Sequence, residues 1–410
     1  MEMVEDVVIV GAGIAGLATA VALKRVGIKA LVLERWHELR AAGAALSLFP
    51  NAWRALDVLG VSHKLTSIYS QPKVVYITNL ETGAIRRVPF ATTNAEGDGG
   101  PIPLHRKALL EALAEELPAD SIRFSSKINT IETITHEGSS IAVVHMEDGS
   151  VIKAKVLIGC DGVHSMVARW LGLAAPVQSG RSAVRGLAEF PQGHGLRKEI
   201  QQFVGAKRRA GYIPMTDKDI YWFLTCPSPA KGIDHLARDP EAIQREVIEN
   251  YAKDLPEQYL DIVKHSELST LTWDPLVYRQ PWNVAFGSLS KENITVAGDA
   301  MHPMTPDLGH GGCSALEDAV VLGRHIGTSF IQNGGLVPSE MPRVLANYVA
   351  ERRWRGVWLI TGSYFSGWVQ QGGSSRVVKF LRDAIFYAFL FRKLANIVHY
   401  DCGKLPTIRH

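Results

Sequence analysis

Apolar positions change their period along this chain, and each change marks an element. Val7-Val8-Ile9-Val10 is an unbroken β-branched run, the pattern of a parallel strand buried on both faces. Leu17, Ala18, Ala20, Val21 and Leu23 then recur at helical spacing, and Ala30-Leu31-Val32-Leu33 returns to the strand pattern. Two further apolar strands are expected at Val156-Leu157-Ile158-Gly159 and Ile294-Thr295-Val296-Ala297. A long helix should follow the second, with Ala315, Leu316, Ala319, Val320 and Leu322 on one face. Between these strands, residues 181–281 differ in character. Short β-rich runs at 182–190 and 219–224 alternate with Pro and Gly turns, and a helix is expected over 240–251. That region reads as an inserted antiparallel sheet, to which residues 74–88 add a small piece. Residues 344–398 read as helical, with Trp354, Trp358, Phe365 and Trp368 as packing positions.

Composition changes this picture little. The chain has 410 residues, 46% hydrophobic and 21% charged, an ordinary globular balance for one large core or two interleaved domains. The formal net charge is +3 without a basic stripe or acidic tail, so neither nucleic acid nor an anionic membrane is suggested. Cys160, Cys226, Cys313 and Cys402 are scattered without metal spacing, and buried free thiols are expected rather than disulfides or a metal site. The chain enters its first strand almost at once, and residues 384–391 are too short an apolar stretch to cross a bilayer. Residues 408–410 are not a peroxisomal address, so a cytoplasmic protein is expected.

The chemistry begins in the first strand–helix–strand unit. Gly11-Ala12-Gly13-Ile14-Ala15-Gly16 joins strand to helix, and Glu34 follows the second strand eighteen residues beyond Gly16. Gly11 permits the tight turn, Gly13 leaves the backbone open to a pyrophosphate, and Gly16 lets helix and sheet pack closely. The helix N-terminus offers free N–H groups to phosphates, and a carboxylate at Glu34 can accept from ribose hydroxyls. Strand, glycines, helix, strand and acid in this order predict dinucleotide binding. Glu34 favours a free ribose over a 2′-phosphate, while FAD and NAD both remain open.

The two later strands end in Asp161-Gly162 and Gly298-Asp299. Either Asp could simply cap a helix, the commoner fate of an Asp after a strand. For Asp299 the cluster Gly309, Gly311 and Gly312 argues further. A glycine-rich turn before a long helix exposes N–H groups suited to the electron-rich pyrimidine edge of a flavin. Pro303 sets a rigid bend whose flat ring could lie against that ring system.

These three motifs, in this order and spacing, resemble the group A flavoprotein monooxygenases, the family of p-hydroxybenzoate and salicylate hydroxylases and of the zeaxanthin epoxidase core. The resemblance spans most of the chain. Arg185-Gly186-Leu187-Ala188-Glu189-Phe190-Pro191 and Asp401-Cys402-Gly403-Lys404-Leu405-Pro406 are similar to plant members. It implies an α/β fold, with a Rossmann-like FAD-binding domain over 1–73, 89–180 and 282–345. It also implies a substrate domain of antiparallel sheet over 74–88 and 181–281, and a C-terminal helical segment over 346–410. FAD contacts are implied for Gly11, Gly13, Ile14, Ala15, Gly16, Glu34, Arg35, Arg40, Ala45, Arg106, Asp161, Asp299, Pro303, Gly309, Gly311 and Gly312. Gly43 and Ala44 match the loop that runs near the flavin. The third motif departs from the family at Met301, Asp307 and His310, where alanine, asparagine and glutamine are common.

The resemblance further implies a reaction in which NAD(P)H reduces the flavin and leaves, there being no second dinucleotide motif to hold it. Reduced flavin and O2 then give a C4a-(hydro)peroxide that hydroxylates or epoxidises a small aromatic or isoprenoid-type molecule. Such chemistry asks for placement and a dry cavity rather than a metal or a nucleophile. Pro303 and His302 are flavin-proximal candidates, although His302 and His310 could equally be fixed by local bonding. Tyr212, Tyr221, Trp222 and Phe223 are candidates for the substrate face, of which strand alternation allows only some. Arg185 and His194 could anchor a carboxylate or phenolate, but a surface or ion-paired role is the expectation for both. Competing readings are a flavin oxidase or halogenase on the same scaffold, and a non-catalytic binding protein. The tryptophan-rich halogenase signature is not evident.

Overall fold

The computed structural model describes residues 4–40, 44–90, 100–136, 138–228, 239–371 and 396–407. Gly43, the apolar stretch at 384–391 and the C-terminal residues 408–410 lie outside them. The chain begins with β1 (Val4–Val10), α1 (Ile14–Arg25), β2 (Ala30–Leu33), β3 (Ala45–Leu48) and α2 (Pro50–Leu59). It continues with β4 (Val74–Asn79), β5 (Ile85–Pro89), β6 (Ile102–His105), α3 (Arg106–Ala114) and β7 (Ile122–Arg123). A hairpin of β8 (Ile128–His136) and β9 (Ser139–Met146) leads into β10 (Val151–Gly159) and α4 (Met166–Trp170). Next come β11 (Val177–Glu189), β12 (Ile200–Gly205), β13 (Arg208–Pro214) and β14 (Asp219–Pro227). They are followed by α5 (Pro240–Glu246), α6 (Glu257–Lys264) and β15 (Thr272–Tyr278). The chain then returns through α7 (Pro281–Phe286), β16 (Ser290–Lys291) and β17 (Ile294–Val296) to the long helices α8 (Gly311–Asn333) and α9 (Met341–Gln371).

The main sheet runs β16-β17-β10-β1-β2-β7, with β9 and β8 paired on from β10. Its centre is parallel: Val8 lies opposite Leu157 on one side and Leu31 on the other. The four apolar strands read from the sequence are thus neighbours, in the order β17-β10-β1-β2. Being covered on both faces, β1 can be apolar throughout, and Val7, Val8 and Ile9 are fully buried. Residues Ile14 through Leu23 of α1 are buried between this sheet and α8. The two helices approach closely because α8 presents Gly323 and Gly327 there. A Cβ on Gly323 would come within 2.7 Å of the Ala22 Cβ, and one on Gly327 within 2.8 Å of Val26.

The second sheet runs β15-β11-β14-β13-β12-β4-β5. Its pairings are antiparallel except one, since β4 joins β12 in parallel. A connection that arrives from far earlier in the chain is not bound to hairpin geometry. One face packs on α5 and α6 around Trp222, Trp273 and Tyr259. The helix expected over 240–251 is α-helical only to Glu246 and finishes as a π-helical turn, Val247–Tyr251. Asp239 caps its start by accepting from the N–H groups of Glu241 and Ala242.

All four cysteines are buried and unpaired, and burial pushes the thiols of Cys226, Cys313 and Cys402 up to about 12. Among the described residues no helix is long and apolar enough to cross a membrane, and no three His, Cys, Asp or Glu side chains are grouped to hold a metal.

Candidate functional site

The loop after β1 is shaped by what its glycines exclude. Gly11 has φ +99°, and a Cβ there would stand 2.6 Å from the Cys160 carbonyl oxygen. A Cβ on Gly16 would fall inside the envelope of the Gly11 carbonyl, which binds helix to loop. Around Gly13, by contrast, no atom lies within 4 Å of the Cβ position. Gly13 is the N-cap of α1 with no capping side chain, so the helix presents its N–H groups to open space. Glu34, only 8% exposed, accepts from the Ala12 N–H at 2.8 Å and the Trp36 N–H at 3.0 Å. Arg35 and Arg40 are exposed and lie over the Trp36 ring at 5.4 and 4.8 Å.

A two-stranded sheet of β3 and β6, with Ala45 opposite His105, places Arg106 at the start of α3, its N–H donated to the Ala44 carbonyl at 3.1 Å. Its guanidinium is packed deep in protein with Nε unpartnered, and burial lowers its pKa against the opposing pull of Asp299. Arg185 and Arg40 act on the same group, so charges from four distant parts of the chain converge here. Asp299 is solvent-accessible yet surrounded by protein, the environment of a cleft floor. Loss of hydration raises its carboxyl pKa, His302 and Arg106 oppose the rise, and Asp318 adds to it.

The third motif turns at Pro306–Leu308, reaches the left-handed region at Gly309 (φ +67°) and enters α8 at Gly311. A Cβ on Gly312 would sit 2.9 Å from Leu46 and 3.6 Å from Ile14, and one on Gly311 3.9 Å from the Asp299 Oδ1. The glycine loop, β3, Asp299 and the glycine turn therefore meet at one end of the parallel sheet. Beside them His310 stacks on Phe49 at 4.3 Å with Nδ1 2.6 Å from the Leu308 carbonyl oxygen. Burial lowers its pKa to about 4, which keeps the ring neutral near neutral pH.

Other sequence candidates do different work. Asp161 accepts from the Met166 N–H at 2.6 Å and from the hydroxyl of Ser165, the residue that caps α4. Burial raises its pKa although these bonds oppose the rise. Pro303 is buried and its carbonyl accepts from the Arg279 N–H at 3.0 Å. His302, expected beside the flavin, has no exposed surface and is turned into a polar network beneath the turn. Its Nε2 lies 2.7 Å from Asp318, which also accepts from the Gly298 N–H at 2.8 Å and Arg352 Nε at 2.6 Å. Glu317 beside it takes Asn51, Arg355 and Arg352. Burial alone would raise both carboxyl pKa values, but the opposing charges of His302 and Arg352 for Asp318, and of Arg352 and Arg355 for Glu317, hold them below the ordinary range. Sequence reasoning missed this network. The adjacent acids Glu317-Asp318 and the cluster Arg352-Arg353-Trp354-Arg355 were its visible signal, but nothing along the chain pairs them.

On the second sheet, strand alternation separates the aromatic candidates. Tyr212 and Trp222 face each other across β13 and β14 on the helix-covered side, which corrects their assignment to the substrate face. Trp222 is fully buried with Nε1 donated to Ser266 at 2.7 Å, and the Tyr212 hydroxyl donates to Gln258 at 2.5 Å. Tyr221 and Phe223 take the opposite face, with rings 6.3 Å apart and partners Leu187 and Arg185 on β11. Arg185, expected from the sequence to be a surface or ion-paired residue, acts electrostatically on both Tyr221 and Arg106. Arg185 thus couples this sheet face electrostatically to the Arg106 side of the glycine site. His194 stays away from it, its ring bonded to the Thr216 carbonyl oxygen at 2.8 Å.

Comparison with known proteins agrees with this geometry. Residues 5–358 match the family described as FAD binding domain. The chain is 40% identical over 409 residues to Monooxygenase 2 of Arabidopsis thaliana, covering 98% of each chain. It is 37% identical over 407 residues to Monooxygenase 1 of the same plant, covering 97% of this chain and 99% of that one. Among solved structures, Klebsiella pneumoniae HpxO complexed with FAD and uric acid superposes with a TM-score of 0.79 at 24% identity, covering 96% of this chain and 97% of that one.

Proposed function

The chain belongs to the FAD binding domain family and is an FAD-dependent flavoprotein monooxygenase, and from that premise we propose that it uses NAD(P)H and O2 to hydroxylate or epoxidise a small aromatic or isoprenoid-type molecule. The observation that carries the reading is the meeting of the open glycine loop, the half-buried Arg106 with its unpartnered Nε, Asp299 and the glycine turn opposite the Tyr221 face. A bare loop around Gly13 and an unpartnered guanidinium atom are features that a bound pyrophosphate would complete. The α1 N–H groups from Gly13 to Gly16 would hold the phosphates, and Glu34 and Arg35 the adenosine. Arg40, Ala45, Arg106 and Asp299 would lie along the rest of the cofactor, with the N–H groups of Gly309, Gly311 and Gly312 at its pyrimidine edge. Asp161 would stand behind this line, bonded to the N-terminus of α4.

Bound FAD supplies the redox chemistry, taking electrons from NAD(P)H and passing them to O2. The chain's own work is placement. Arg185 would draw an anionic or phenolic group of the substrate, Tyr221 would offer a hydroxyl, and Phe223 an apolar surface. Residues 1–73, 89–180 and 282–345 would form the FAD-binding unit, residues 74–88 and 181–281 the substrate unit, and 346–410 the C-terminal segment. Uric acid, the ligand named for the HpxO complex, is likewise small and planar.

The test is oxidation of NADH and NADPH by the FAD-loaded protein across phenolic and isoprenoid compounds, with peroxide quantified in parallel. Stimulation by one compound without matching peroxide, and ¹⁸O from O2 in the product, is the expected outcome. A protein that takes up no FAD overturns the reading.

A further inference from the structure

A buried ion pair joins three parts of the chain outside the residues assigned to the cofactor and substrate. Arg181, where β11 begins to pair with β14, forms a two-pronged contact with Asp307: Nη1 to Oδ1 at 2.9 Å and Nη2 to Oδ2 at 2.7 Å. The side chains are 13% and 3% exposed. Asp307 lies in the 306–308 turn, two residues before Gly309. The third part is Gly367 of α9. A Cβ there would fall inside the envelope of both the guanidinium and the carboxylate, so any larger residue would make the pair shift from its present geometry. A second tie runs alongside, where Tyr278 of β15 and Tyr364 of α9 have ring centroids 4.8 Å apart. Arg181 is also in phase with Arg185 and Leu187 on the cleft side of β11, so the pair spans from the substrate-facing sheet to the glycine turn.

We infer that Arg181 and Asp307 are a positioning pair that locks the glycine turn against the substrate sheet, with Gly367 as its cover, and that this lock sets how tightly FAD is held and how fully reductant consumption is coupled to oxygen insertion. The inference rests on the monooxygenase reading. A bidentate guanidinium–carboxylate contact fixes both distance and angle, which a single charge cannot do. Losing one partner leaves a nearly buried charge unpaired, and the turn must move to rehydrate it.

The experiment measures FAD dissociation by flavin fluorescence, the visible spectrum of bound flavin, and peroxide formed per NAD(P)H consumed. The proteins are the parent, Arg181→Gln, Asp307→Asn, the double variant, Arg181→Lys and Gly367→Ala. Each single neutral variant should weaken FAD binding about tenfold and raise the peroxide fraction, with far-UV circular dichroism unchanged. The double variant should lose no more than the worse single one, because both remove the same contact. Arg181→Lys, with charge but no fork, should recover part of the loss. Gly367→Ala should reproduce the weakening with both charges present. FAD binding within about twofold of the parent in the single variants, or losses that add in the double one, would overturn the inference. A parent that binds no FAD overturns the flavoprotein reading and the inference with it, an outcome distinct from variants failing beside a loaded parent.

Discussion

His310 shows how placement rather than type decides what a residue does. Beside a glycine turn it invites an acid–base role, yet its ring is buried against Phe49 and its pKa is lowered to about 4. Free histidine in an unfolded chain titrates near 6.5. Above that pH neither state binds the proton, so the ring costs the fold nothing. As pH falls through 6.5 towards 4, the unfolded chain takes up a proton that the folded ring refuses, and stability declines. The integrated loss is roughly 3 kcal/mol. His310→Gln should remove this part of the acid destabilisation, read as the difference in urea unfolding between pH 7 and pH 4.5. Equal pH slopes in the two proteins would show that His310 is not the group responsible.

Among elements, α8 carries more than its length suggests. Its first turn faces the glycine loop, its glycines admit α1, and Glu317-Asp318 anchor it to α9 through Arg352 and Arg355. Breaking a buried pair leaves its partner charged and dry, at about 3–5 kcal/mol, whereas an exposed pair contributes well under about 1 kcal/mol. Asp318→Ala should therefore lower the unfolding free energy by about 3–5 kcal/mol. Lys29→Ala, which loses an ion pair whose partners are 70% and 69% exposed, should stay within about 0.5 kcal/mol of the parent. Chemical denaturation of both variants checks the contrast. The two acids were readable in the sequence, but their cations lie more than thirty residues away on α9, a distance no local pattern spans.

For the whole molecule, the second sheet divides labour between its two faces. Trp222 belongs to a core shared with α5 and α6, while Tyr221 lies on the opposite face and packs against the core of the main sheet. Trp222→Ala should cost about 3–5 kcal/mol of stability, as large core truncations do. Tyr221→Phe should leave the unfolding midpoint near that of the parent and change KM or coupling for the substrate. Steady-state kinetics beside thermal unfolding separates the two. A KM change in the Trp222 variant with none in the Tyr221 variant would mean that the cleft lies on the other face of the sheet.

What the chain settles by itself is local. A buried parallel strand must be apolar throughout, a tight turn at positive φ needs glycine, and a helix start offers N–H groups, so the three motifs and their strands can be read in order. The need for glycine at Gly16 follows from the Gly11 carbonyl five residues earlier, whereas a Cβ at Gly11 would meet the distant Cys160 carbonyl. The tertiary structure decided which side of a strand meets the cleft, where a period-two pattern with apolar residues on both faces is silent: Trp222 and Tyr221 are adjacent and equally aromatic. It also decided the partners of buried charges. Arg181 finds Asp307 across more than a hundred residues, and His302 finds Asp318 instead of the cleft, because desolvated charge is stabilised by proximity in space and the chain records only proximity in sequence.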